Sequence, residues 1–140
     1  MTANNHDRRF NRSQKKQESL TNLLDYAKIY GGFDHAVIIH NEKIVARSTH
    51  TDQAPRMKDI ALILDKSARY LAKAASFPDI ETIVAQTARG DSVACYYFKF
   101  TDGSLCSVVV LSKTRIPPSA DKIFARTASG YERITRTTVS

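Results

Sequence analysis

No stretch of this chain approaches the ~20 consecutive apolar residues that span a bilayer. The first residues, Met1–Arg9, hold charges with no apolar run behind them, so a secretory signal is not expected and the cytoplasm is the expected compartment. Cysteine is scarce. Cys95 and Cys106 are the only two, too few for a structural zinc site without histidines at matching spacing. The five glycines form neither a phosphate-binding loop nor a dinucleotide fingerprint, and the adjacent pair Gly31-Gly32 follows a helical pattern rather than a strand. No serine lies in a Gly-x-Ser-x-Gly context. These absences predict a chain that binds rather than converts: no enzyme, no cofactor, no resident metal.

What is present is enough chain, 140 residues, to bury one real core, with an ordinary hydrophobic share of 42%. The net charge of +7 is concentrated at the ends. Arg8, Arg9, Arg12, Lys15 and Lys16 face only Asp7 and Glu18 near the start, while Arg115, Lys122, Arg126, Arg133 and Arg136 face Asp121 and Glu132 near the finish. Such ends suit an acidic surface, or serve as solvated tails that aid solubility. Arg8, Arg9, Arg12, Lys15, Lys16, Arg126 and Arg133 are the candidate electrostatic contacts.

Residues 1–17 are too polar to offset the entropy of ordering and read as a disordered basic tail, with a helical arm able to reach back toward Ser13. The domain proper is expected at 18–134, and 135–140 as a frayed end. Leu20, Leu23, Leu24 and Ala27 recur at helical spacing up to Gly31-Gly32. Strands follow at 35–40 and 44–48 about a tight Asn41-Glu42 turn, which pairs Ile39 with Ile44 and Val37 with Ala46. A long helix over 54–76 starts at Thr51 or Asp52 as cap, with Pro55 in its first turn. Strands at 80–87, 92–100 and 104–112 come next, the last two joined at Asp102-Gly103, and a helix over 119–134 closes the chain. A two-residue turn there pairs Phe100 with Leu105 and sets Cys95 opposite Val110. The two cysteines are then more than ~13 Å apart, out of disulfide reach. Both faces of these strands are largely apolar and need cover. The expected fold is therefore α+β: a five-stranded antiparallel sheet flanked by helices, in the order α-β-β-α-β-β-β-α.

The long helix has two apolar stripes. Met57, Ala61, Leu64, Ala68, Leu71 and Ala75 suffice to cover a sheet. Ile60, Ile63, Tyr70 and Ala74, with Ser67 between, form a second stripe that is either the edge of one wide core-facing arc or a contact with another copy of the helix. His35 and His50 could meet near Asp34 or Asp52 to hold a metal or a proton, but no local ligand spacing supports it, and His35, His40 and His50 read as exposed strand-end residues. Asp79 and Glu81 read as guards of a strand edge rather than an acid–base pair. Tyr96, Tyr97, Phe98 and Phe100 beside Lys99 and Arg89 superficially fit base stacking, yet a nucleic-acid sheet leaves one face open and this one needs cover.

The run Gly32-Phe33-Asp34-His35-Ala36-Val37-Ile38-Ile39, then Ile44-Val45-Ala46-Arg47-Ser48, the helix Met57–Ala75 and the hairpin Cys95–Leu111 resemble the Roadblock family, the dynein light chain group with bacterial and archaeal members. The likeness covers residues 18–134 and implies a Roadblock/profilin-like sandwich. Its departures are Asn41-Glu42-Lys43 where relatives often have Asp-Gly, the basic tail, and Pro117-Pro118. The resemblance implies a homodimer or heterodimer built from the long helices and the third strands, with Ile60, Ile63, Ser67, Tyr70, Ala74, Thr82 and Val84 at the contact. It also implies a regulatory or scaffolding role beside a small Ras-like GTPase or a related assembly. Two other readings are a PAS- or GAF-type small-ligand sensor and a nucleic-acid binder acting through its basic ends.

Overall fold

Apolar residues on both faces of two neighbouring strands demand a sheet covered on both sides, and the computed structural model has that arrangement. It describes the backbone of residues 3–137 and the side-chain environments of 12–136. The elements are α1 (Ala3–Gly31), β1 (His35–His40), β2 (Lys43–Arg47), α2 (Ala54–Ala74), β3 (Thr82–Gln86), β4 (Ser92–Lys99), β5 (Leu105–Ser112) and α3 (Ala120–Thr137). The expected element order holds. The sheet runs β2-β1-β5-β4-β3, with every neighbouring pair antiparallel.

Two cores result, one on each face. On one, Leu20 and Leu24 of α1 and Phe124 and Tyr131 of α3 pack over Ala36, Ile38, Ala94, Cys106, Val108 and Val110. On the other, Ala54, Met57 and Ala61 of α2 cover Val37, Ile39, Cys95 and Val109. Phe124 stacks between Phe33 and Tyr96, with ring centroids 5.7 and 6.0 Å away. At ~25 cal/mol per Å2 of apolar area, each such ring contributes a few kcal/mol.

The β4–β5 register differs from the expected one by a single residue. Phe98 faces Cys106 and Lys99 faces Leu105. The turn has three residues rather than two: Gly103 N–H donates to Phe100 C=O, Phe100 N–H donates to Ser104 C=O, and Gly103 takes φ +86°. A type I turn followed by a left-handed glycine is the three-residue hairpin solution. The slip exchanges the faces of β5, because side chains alternate along a strand. Cys106, Val108 and Val110 stand with Tyr96 and Phe98, not with Cys95 and Tyr97. The cysteines lie on opposite faces, free and buried.

The first hairpin does turn at Asn41-Glu42, both with positive φ (51° and 65°), the backbone of a tight two-residue turn. Ile39 pairs with Ile44 as expected. Beyond it a bulge at Val45 resets the ladder, so Ala46 faces Ile38 rather than Val37.

Helix α1 is drawn from Ala3, where a start near 18 is expected. No glycine or proline interrupts the run to Tyr30, and its Gln, Lys, Arg and Glu are good helix formers. It ends as expected at the glycine pair: Phe33 N–H reaches back to Lys28 C=O across Gly32 at φ +71°. Helix α2 closes the same way, with Phe77 N–H to Ala72 C=O and Ser76 N–H to Lys73 C=O, but with Ser76, not glycine, at φ +56°. Its start also departs from expectation. Gln53 is the cap and gives no side-chain hydrogen bond, and Thr51, an expected cap, is turned inward to Ser48 and His35. Pro55 sits in the first turn as expected.

Candidate functional site

Helix α2 buries Ala54, Met57, Ala61 and Ala68, positions three to seven apart on one side of the cylinder. The opposite side is therefore outward. There Ile63 is 64% exposed and Tyr70 73%, with Ile60 and Ser67 half-buried and Ala74 exposed. These five expected contact residues fall on one outward stripe. Ser67 Oγ donates to Ile63 C=O 3.0 Å away, so the one hydroxyl in the stripe is satisfied within the helix. Leu71, expected to face the core, is 47% exposed, and Phe77 just past the helix is also exposed, which widens the apolar surface.

Strand β3 is one edge of the sheet. Its sequence, Thr-Ile-Val-Ala-Gln, contains neither charge nor proline to deter pairing with another strand. Thr82 pairs with Tyr96 and Val84 with Ala94, so their side chains stand on the sheet face covered by α1 and α3. The β3 side chain packed on the α2 side is Ile83. The expected set thus divides: the α2 residues share a stripe, whereas Thr82 and Val84 mark an open backbone edge and point the other way.

The α2 side of the sheet also carries polar groups. Tyr97 Oη donates to Ala61 C=O at 3.3 Å, and Asp65 pairs with Arg69 at 3.0 Å. Beside them lies a groove of about 720 Å3 bordered by Asp79, Glu81 and Lys99. Glu81 accepts a hydrogen bond from Tyr96, a structural tie at the edge of the sheet. Burial pushes the Cys95 and Cys106 thiols up to about 12, so neither is a thiolate nucleophile near neutrality. Among the described residues no group of three His, Cys, Asp or Glu is arranged to hold a metal ion. No helix among them is long and apolar enough to cross a membrane.

The histidines join no group of metal-binding residues among those described. His35 Nδ1 lies 3.4 Å from Thr51 Oγ1, and His50 is exposed at φ +60°. His40, expected as an exposed strand end, is instead half-buried and clamped. Nε2 is 2.6 Å from Ser104 Oγ, and Nδ1 is 2.7 Å from the Tyr131 hydroxyl. Ser104 donates to the Asp102 carboxylate, which leaves its oxygen free to accept from the His40 ring, and the other ring nitrogen meets the Tyr131 hydroxyl. Hydrogen bonds from Ser104 hold the Asp102 carboxyl below its ordinary range. This chain ties α3 to the turn after β4. Sequence reasoning misses it because His40, the Asp102–Ser104 turn and Tyr131 are 27 to 91 residues apart, and only the tertiary fold joins them.

The candidate basic contacts also separate. Arg12 and Lys15 are exposed on α1, and Lys16 borders a groove with Arg47 and Tyr131. Arg126 and Arg133 line a different groove, between α1 and α3. The side chains of Arg8 and Arg9 lie outside the described residues.

No protein-family model matches the chain, and no curated protein does. Solved structures do. MglB of Myxococcus xanthus is 10% identical, with 88% of this chain and 92% of that chain covered at a TM-score of 0.66. The Roadblock/LC7 domain from Streptomyces avermitilis is 14% identical, with 86% and 98% covered and a TM-score of 0.61. A GAF domain from Pseudomonas syringae pv. tomato follows at 10% identity, 97% and 90% coverage and a TM-score of 0.55. At these identities the likeness is one of fold: the chain has the Roadblock-type sandwich that its sequence resembles.

Proposed function

We propose that this chain is a non-enzymatic, dimeric interaction module that regulates or scaffolds a small Ras-like GTPase or a related assembly. The observation that carries the dimer is the outward stripe of α2. Ile63 and Tyr70 are large and exposed, and the stripe from Ile60 to Ala74 runs about four turns of helix. Burying each against a second copy contributes roughly 1.5–3 kcal/mol. The open, uncharged β3 edge offers main-chain pairing alongside, as in strand addition. A two-fold contact brings a stripe onto its own copy, so self-complementary apolar residues are what it requires.

The GTPase partner rests on the Roadblock resemblance. Its test is capture of a purified Ras-like GTPase from the same cell, loaded in turn with GDP and with a non-hydrolysable GTP analogue. Nucleotide-dependent retention supports the proposal, and no retention of any such GTPase in either state removes it. The GAF likeness favours a second reading, a small-ligand sensor. Both faces of the sheet are filled by packed side chains, so a ligand would sit in a surface groove. Native mass spectrometry of purified protein decides: a retained small molecule supports the sensor.

A further inference from the structure

Helices α1 and α3 pack side by side, with Leu23 against Gly130, where an added Cβ would come within 2.7 Å of the leucine. Above this close contact lies a groove of about 940 Å3. Its walls follow helical spacing. Ser19, Leu23, Tyr26 and Tyr30 come from α1, and Lys122, Arg126, Gly130 and Arg133 from α3. The floor is apolar, with Ile123 and Ile134 beside Leu23. Tyr26 is 50% and Tyr30 65% exposed, their rings 4.1 Å apart at the rim.

The charge lining this groove has one sign: among the described residues no Asp or Glu lines it. Asp25 is turned away to accept from Thr49, and Glu18, Asp121 and Glu132 are not among the lining residues. Among the described residues neither Lys122 nor Arg126 has an ion-pair partner. A second copy of the groove would set cation against cation, so self-association is excluded here on charge grounds. A concave channel between two helices is also the wrong shape for a flat lipid surface, whereas it matches an amphipathic helix that lays its apolar face into a groove.

We infer that the α1–α3 groove is a docking site for an acidic amphipathic helix of a partner protein, its leucine-type side chains on Leu23, Ile123 and Ile134 and its carboxylates on Lys122 and Arg126. The site lies on the sheet face opposite α2, so it is independent of the dimer stripe, and a dimer would present two. Rim aromatics add packing area to the charged contacts, as tyrosines do at many interfaces.

The test is a phage-displayed library of randomised peptides of roughly 16 residues, about four helical turns, selected on the folded full chain. The best binder is then synthesised and its affinity measured by fluorescence anisotropy. The expected result is enrichment of Asp and Glu flanking apolar residues at helical spacing. Binding weakens at least about tenfold in Lys122→Glu/Arg126→Glu and with rising salt, and is unchanged in Ile63→Asp. Both groove substitutions are at exposed positions, and circular dichroism checks that the variant is folded. Four outcomes overturn the inference: no enrichment, enriched peptides without acidic bias, binding indifferent to the groove variant, or binding lost in Ile63→Asp. Co-sedimentation with vesicles of equimolar phosphatidylcholine and phosphatidylserine runs alongside. Vesicle binding lost in the groove variant, with no peptide enriched, reassigns the surface to lipid.

Discussion

Two surfaces of this molecule expose large apolar side chains, and they differ in what surrounds them. On α2, Ile63 and Tyr70 stand on a convex ridge whose one hydroxyl, Ser67, is satisfied internally. Between α1 and α3, Tyr26 and Tyr30 rim a concave channel with Lys122 and Arg126 and, among the described residues, no acid. An apolar ridge can meet its own copy, as the proposed dimer requires, whereas the cation-lined channel repels its own copy. Exposed apolar area therefore has different meanings in the two places, and shape with charge decides which partner fits.

Substitution at each surface separates the two roles. The largest effect is expected at the ridge. Ile63→Asp would put an unpaired charge into the proposed apolar contact, at a cost on the order of 3–5 kcal/mol, and should give a folded monomer while leaving the α1–α3 channel intact. Phe124→Ala acts under the channel instead. The ring is 1% exposed and wedged between Phe33 and Tyr96, so its loss should cost about 3–5 kcal/mol in urea unfolding. Folded Phe124→Ala molecules should still associate through α2; loss of association at full folding would mean that the two faces are coupled.

Gly31→Ala is the next smaller perturbation on the channel side. An added Cβ would lie 2.2 Å from the Phe33 ring, which is itself buried against Phe124, so the ring must shift at about 1–3 kcal/mol, read as a lower denaturation midpoint.

The cysteines sharpen the comparison because one lies in each core. Cys95 is under α2 and Cys106 under α1 and α3. Both thiols are raised from 9.0 to about 12 by burial, so the native protein should resist thiol reagents at pH 8. For an acid whose folded value is raised, stability is complete below the unfolded value and is lost as pH climbs toward the folded one. Stability should therefore hold below pH 9 and fall between pH 9 and 12. Replacing Cys95 with alanine should flatten that decline; an unchanged slope would show that Cys95 is not its source. The smallest effect is Ser76→Gly at the end of α2. A serine held at φ +56° costs backbone strain that glycine avoids, so a gain of roughly 0.5–1 kcal/mol is expected in thermal unfolding.

Much of the fold is legible in the chain because its signals are local. Helical spacing in Leu20–Ala27, the glycine stop at 31–32 and the turn at 41–42 each involve neighbours, and each element forms where expected. The one-residue slip of β5 depends on whether Gly103 closes a two- or a three-residue turn, and Asp102-Gly103 suits both. That choice alone moves Cys106 from one face to the other. Periodicity groups Ile63 and Tyr70 on one stripe but leaves open whether it faces the core; the structure turns it outward. The directions of Thr82 and Val84 were not legible either, because they depend on the pairing of β3 with β4. The α1–α3 channel was invisible for the same reason: its basic residues were legible as charge, but their union with Tyr26 and Tyr30 needs two helices distant in sequence to meet.

The central claim is that the outer stripe of α2 is a contact between copies. Sedimentation velocity of the full chain and of Ile63→Asp, across a range of concentrations, tests it most directly. The account predicts a dimer for the native chain and a folded monomer for the variant. A monomeric native chain at every concentration, or an Ile63→Asp dimer as tight as the native one, would contradict it.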